Sequence, residues 1–311
     1  MNTQSNAMPN APLEAQAVTN AAVAATRPLY WSIRRELWEN DSIVIAPIAL
    51  AFLFLLGCLF ASIRYHENWW PVFADPVNHR AAIDMPYHAA AFLILLTAFF
   101  TGAIYCLDAL YGERRDRSVL FWKSLPVSDL TTVLAKASIP LAVLPLVTFA
   151  VIVGAQIVLF LLDTAFALGN GLSAATLWAQ LPLFKMWLSL LCAIVASALW
   201  YAPIYGWLLL VSGYARRATF LWAVLPLFAI CVVEKVAFNT IHFANLLEFR
   251  LTGWYTQTFV PLVPGGVPPA DPLTQITPWK FLSTPELWIG LIVAAAFIAA
   301  TVRLRHYREP I

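Results

Sequence analysis

Six continuous apolar runs organise the chain, covering residues 43–63, 87–107, 138–162, 184–212, 218–236 and 286–302. A helix needs about 20 apolar residues to cross about 30 Å of hydrocarbon, and each run comes close to or exceeds that length. The apolar residues are continuous rather than alternating, which argues against a transmembrane barrel of period-two strands. The pattern predicts an all-α polytopic membrane protein of six transmembrane helices. Prolines fall inside several runs (Pro47, Pro140, Pro145, Pro203 and Pro226). In a membrane bundle neighbouring groups can re-satisfy the carbonyls that such prolines free, so they are expected to kink the spans without ending them.

Polar punctuation divides the rest. Residues 1–26 carry a single charge, Glu14, and lack both a basic start and a compact apolar core. They are expected to form a disordered cytoplasmic tail, not a signal peptide. Residues 28–40 read PLYWSIRRELWEN. On a helix Leu29, Tyr30, Ile33 and Leu37 share a face edged by Trp31 and Trp38, with Arg35, Glu36 and Glu39 opposite. Arg34 falls in the apolar sector and must snorkel. This is the pattern of a helix lying in the membrane interface, and Asn40, Asp41 and Ser42 mark a break and a new N-cap before the first span.

The segment 111–137 reads YGERRDRSVLFWKSLPVSDLTTVLAKA. Each of its charges would cost about 2.5–3.5 kcal/mol at mid-bilayer, so the segment must lie in water. Ser128 is placed to cap a new helix, with Asp129 suited to its positive N-terminus. Residues 237–285 form a long outer segment between the fifth and sixth spans, expected to be helical from Phe238 to Arg250, apolar but too broken to span from Trp254 to Pro264, rich in proline and glycine from Pro261 to Pro285, and partly re-entrant or capping.

Composition fits this frame. The chain of 311 residues is 61% hydrophobic and 12% charged, too little charge to solvate a globular surface of this size. A net charge of +2 gives no basic field for nucleic acid. Thirteen of the 19 Lys and Arg residues lie on the side that holds the N-terminus, which by the positive-inside rule puts both termini in the cytoplasm. Cys58, Cys106, Cys192 and Cys231 sit singly in apolar runs and read as reduced packing residues.

Candidate chemistry is sparse. There is no P-loop, no zinc helix, no nucleophile elbow and no dinucleotide fingerprint, so no catalytic residue and no metal ligand is assigned. The polar residues His66, Glu67, Asp75, His79, Asp84 and His88 match no ligand spacing. Glu234, near the outer end of the fifth span, is the one candidate for lining a substrate pathway. The scarcity of charge in the spans argues against an ion-driven secondary transporter.

The stretch from Tyr111 to Ser128, with its Glu113–Arg114 charges, Ser118 and Ser124–Leu125–Pro126–Val127–Ser128 turn followed by Lys136, resembles the permease subunits of type-2 ATP-binding-cassette (ABC) transporters. The wider layout from residue 27 to 311, one permease domain, is similar too. The resemblance implies a transport subunit, not an enzyme, that pairs with a second permease copy or paralogue. Two cytoplasmic ATPase subunits would carry the ATP and Mg, and this chain would bind neither. Residues 28–40 and 111–128 would face the ATPase, with Glu113, Arg114, Arg115, Arg117, Ser118, Arg34 and Arg35 at or near the contact. Export across a cell membrane, in bacteria the inner one, is the family's common role. Two other readings of the residues stay open: a membrane-embedded enzyme acting on lipid or peptide, and a structural subunit of a membrane complex.

Overall fold

The computed structural model describes residues 28–65, 80–116, 118, 127–171, 173, 175, 178–179, 181–259, 273 and 277–307. The expected tail 1–26, the histidines at 66 and 79, Arg117 and the turn 124–126 lie outside them. The described chain is all-helical, and six of its helices are long and apolar enough to cross a membrane. It is a multi-pass membrane protein.

Helix α1 (Pro28–Glu39) and α2 (Ser42–Arg64) are separate, as the polar break predicts. The break is closed differently from the expected cap. Asp41 holds the N-cap position without a side-chain hydrogen bond, while the Asn40 amide donates to the Glu36 carbonyl at 3.0 Å and finishes α1. Next come α3 (Arg80–Asp108), the short α4 (Tyr111–Arg115) and α5 (Asp129–Ser138). Ser128 caps α5 as expected, its hydroxyl accepting from the Thr131 amide at 3.1 Å. A wide π turn, Ile139–Val143, joins α5 to α6 (Leu144–Gly169). Pro140 lies in this turn and Pro145 just after it; neither has an amide hydrogen to give the ladder, and the wider turn accommodates the loss. The third span is therefore longer than the apolar run suggested, from Asp129 to Gly169.

The fourth span is α7 (Leu183–Tyr214), followed by α8 (Thr219–Phe238), α9 (His242–Thr258), α10 (Pro278–Ser283) and α11 (Pro285–Tyr307). Helix α7 is the hub. Buried residues lie on all its sides, among them Met186, Leu190, Ile194, Trp200, Tyr205 and Leu209. Close approach of its neighbours depends on small residues. A Cβ at Gly206 would crowd Phe297 and Ala294 of α11, and one at Gly102 of α3 would crowd Tyr205 and Leu144. Helix α3 buries Ile83, Tyr87, Ala90, Ile94 and Ala98, a spacing of three and four that puts them on one stripe. Helix α8 is the exception. Only Ala223 is buried on it, while Phe220, Leu221, Trp222, Leu225, Phe228 and Val233 are exposed. Left-handed residues bound it at both ends, Ala218 at φ 50° and Asn239 at φ 52°.

The outer segment departs from the expected outline. Its helix does not run on from the fifth span but restarts at His242 after the Asn239 turn, and it continues to Thr258, through Trp254. Helix α9 packs on the middle of α7. The Trp200 indole donates to the Arg250 carbonyl, and the Tyr201 hydroxyl to the Leu251 carbonyl, both at 2.9 Å.

Candidate functional site: a buried charge cluster

At one end of the bundle α1, α3, α4, α5 and α11 converge on a cluster of charged side chains. Its centre is Glu36. The sequence places Glu36 on the polar face of α1, opposite the apolar sector, where solvent would be expected. The structure corrects this: Glu36 is 1% exposed. The apolar sector divides instead, with Ile33 and Leu37 packed on the core beside Glu36 and Leu29, Tyr30, Trp31 and Trp38 exposed on the other side. Tertiary contact selects the polar face because a partner for it lies on α5.

That partner is Lys136, 2% exposed. Its Nζ donates to both Glu36 oxygens, at 2.9 and 3.0 Å, and lies 3.1 Å from Glu113 Oε1. The Tyr105 hydroxyl of α3 donates to Glu36 Oε2 at 2.8 Å. Arg35 donates to Glu36 at 2.6 Å and to Glu113 at 3.4 Å. Arg305, in the last turn of α11, donates through Nη1 to Glu113 Oε2 at 2.7 Å and through Nε to Asp129 Oδ1 at 3.0 Å. Three carboxylates, Glu36, Glu113 and Asp129, thus face three cations, Arg35, Lys136 and Arg305. Burial pushes the Glu36 carboxyl upward, but Lys136 and Arg35 outweigh it and hold the carboxyl below its usual range. Glu39 moves the other way, raised by burial against the pull of Arg35.

Charges this deeply buried are tolerable only when paired and hydrogen-bonded, and removing one member strands its partner. Such a cluster therefore fixes the relative position of the helices that supply it. It ties the N-terminal helix and the loop helix α4 to three of the spans.

Arg114 makes a second joint. Its Nη2 donates to the carbonyls of Ser212 and Ala215, at 2.7 and 2.6 Å, at the C-terminus of α7. These are end carbonyls without helical partners, and a cation there also opposes the helix dipole. The Ser212 hydroxyl accepts from the amides of Leu110 and Tyr111, at 3.0 and 2.9 Å. Helix α4 is thereby fastened to the hub.

The structure brings together only some of the residues singled out from sequence. Arg35 and Glu113 belong to the cluster, and Arg114 to the joint beside it. Arg34 and Arg115 point outward, Arg115 paired with Asp116 at 3.0 Å. The Ser118 hydroxyl donates to the Glu113 carbonyl at 3.4 Å. Glu36, Asp129, Arg305 and Tyr105 were not picked out as site residues, and Lys136 only by its place after the turn. A signal existed for Lys136, a lone cation within an otherwise apolar helical turn, but not for Arg305, which stands among Arg303 and His306.

Glu234 lies elsewhere. Its carboxylate accepts from the Thr240 hydroxyl at 2.8 Å and from the His242 and Phe243 amides at 2.7 and 2.8 Å, so it caps α9. At the same end of the bundle the Tyr87 hydroxyl donates to Asp163 at 2.7 Å, and Gln156 bridges the Tyr87 carbonyl and the Trp187 indole. Among the described residues no group of three or more His, Cys, Asp or Glu side chains could hold a metal ion. Among known proteins, no family model, no curated protein and no solved structure matches this chain.

Proposed function

We propose that this chain is the permease subunit of an ABC exporter, driven by ATP bound and hydrolysed with Mg on a separate ATPase subunit. One observation carries the reading. The two segments that the sequence resemblance turns toward an ATPase, α1 and the loop holding α4, meet in one buried charge cluster with α3, α5 and α11. A displacement applied to the loop would pass directly to the N-terminal helix and to three spans, because the ion pairs resist separation. The Arg114 joint would carry the same displacement into α7.

In this reading the charged end faces the cytoplasm, with both termini there and the protein in the cell membrane. The excess of Lys and Arg at that end supports the orientation. Helix α1 lies in the interface. Helix α9 dips into the outer leaflet: Trp200, which it covers, stands 14 residues before the end of α7 at Tyr214, about 21 Å at 1.5 Å per residue. The exposed face of α8 is available to a second permease copy or to lipid.

The burial of Glu113 and Arg114 decides how the docking claim is tested. Replacing them disturbs the fold, whereas Arg115 and Asp116 are exposed. The double variant Arg115→Ala, Asp116→Ala should insert normally and recover several-fold less ABC ATPase in a pull-down from the native host. ATPase recovery equal to that of the wild type, or no ATPase recovered with the wild type, counts against the proposal.

A further inference from the structure

The outward face of α1 carries an arrangement that the charge cluster does not use. Trp31, Arg34 and Trp38 stand at i, i+3 and i+7 and so form one stripe. The Arg34 guanidinium lies 5.4 Å from the Trp31 ring centroid and 4.6 Å from that of Trp38. Both indoles are more than half exposed, as is Tyr30, which meets Trp31 edge to face. Arg35, the next residue along, pairs with Glu36, Glu39 and Glu113. Arg34 has no carboxylate partner among the described residues.

We infer that this stripe binds the phosphate headgroup of an anionic phospholipid. The inference rests on the interfacial placement of α1, and not on the transport activity. Three features favour a lipid headgroup. Indoles prefer the headgroup level of a bilayer, where one edge is apolar and the other wet. A guanidinium flanked by two aromatic faces keeps its N–H edge free, and that edge matches phosphate oxygens two at a time. The stripe is also continuous with membrane-type surface, since α2 follows at once and exposes Ile45, Ile48, Phe52 and Leu53. Lysine in place of Arg34 would keep the charge and lose the flat, forked geometry.

The test uses the full chain in nanodiscs of dioleoylphosphatidylcholine doped with a photoactivatable phosphatidylglycerol or, separately, a phosphatidylcholine carrying the same photoactivatable group. Labelling of the peptide containing residues 28–40 is read by mass spectrometry. A single arginine near an anionic surface is worth about fivefold in local occupancy. Phosphatidylglycerol should therefore label this peptide about three- to fivefold more than phosphatidylcholine. Arg34→Gln should bring the ratio to about one at an unchanged melting temperature, while Arg216→Gln, an exposed arginine elsewhere, keeps the wild-type ratio. If Arg34→Gln yields too little folded protein, Arg34→Lys takes its place and should at least halve the preference. Equal labelling by the two lipids in the wild type overturns the inference. So does a preference that survives the Arg34 change, or one that falls equally with Arg216→Gln. ATPase recovery is measured on the same variants. A lost lipid preference with intact ATPase recovery supports the lipid site whatever becomes of the transport reading. An intact preference with lost recovery assigns Arg34 to a protein contact and overturns it.

Discussion

Lys136 and Arg35 are the two cations that reach both Glu36 and Glu113, and Lys136 is the more deeply buried. Lys136→Met keeps most of the side-chain volume and removes the charge. It leaves Glu36 buried with one cation fewer, which should cost about 3–5 kcal/mol. A lowered melting temperature in detergent checks this, and Glu36→Gln in the same background should recover part of the loss. Recovery is the informative arm, because additive losses would mean that the two residues act independently. Titration gives a second expectation. The Glu36 carboxyl is held below its usual value, so its contribution is complete above the unfolded pKa of about 4.3 and lost as pH falls through the lower folded pKa. Glu39, raised by burial, contributes with the opposite sign. Protease accessibility of α1, followed between pH 7 and pH 3, should therefore increase only below about pH 4.3, and Glu39→Gln should not remove that increase.

Elements differ in how far their sequences foretell them. The six spans were legible because hydrocarbon length and continuous apolarity are local properties. The Ser128 cap was legible for the same reason, since capping needs only three or four consecutive residues. The charge cluster was not. Glu36 meets Lys136 across 100 positions and Arg305 meets Glu113 across 192, and no local pattern encodes such pairings. A helical wheel of α1 divides apolar from polar correctly, yet it cannot say that the polar face is the one with a buried partner. Helix α9 gives an element-scale prediction. Arg250 lies over the Trp200 ring at 4.8 Å, donates to the Glu286 carbonyl at 3.0 Å and occupies the space that a side chain at Gly290 would need. Gly290→Val should push Arg250 out and loosen α9 from α7. Hydrogen exchange in residues 242–258 should then quicken at least severalfold, with exchange in α3 unchanged.

At the scale of the whole molecule, two ends of contrasting chemistry flank an apolar middle. One end concentrates ion pairs that join the N-terminal helix, the loop helix and the last turn of α11. The other has the Glu234 cap and the Tyr87–Asp163 pair, and from that end α9 reaches to the middle of α7. The proposed ATP-driven transport would use this asymmetry, with stiff joints where force enters and separable helix packing where a path must open. The proposed coupling requires the charged end to face the cell interior. Its most direct test places single cysteines at Arg115 and at Ile241, both exposed, in a chain whose four native cysteines are replaced by alanine. The probe is a maleimide that cannot cross membranes. Position 241 should be labelled in intact cells and position 115 only in inside-out vesicles. Labelling of position 115 from outside intact cells would contradict the orientation, and with it the proposed site of ATP-driven coupling.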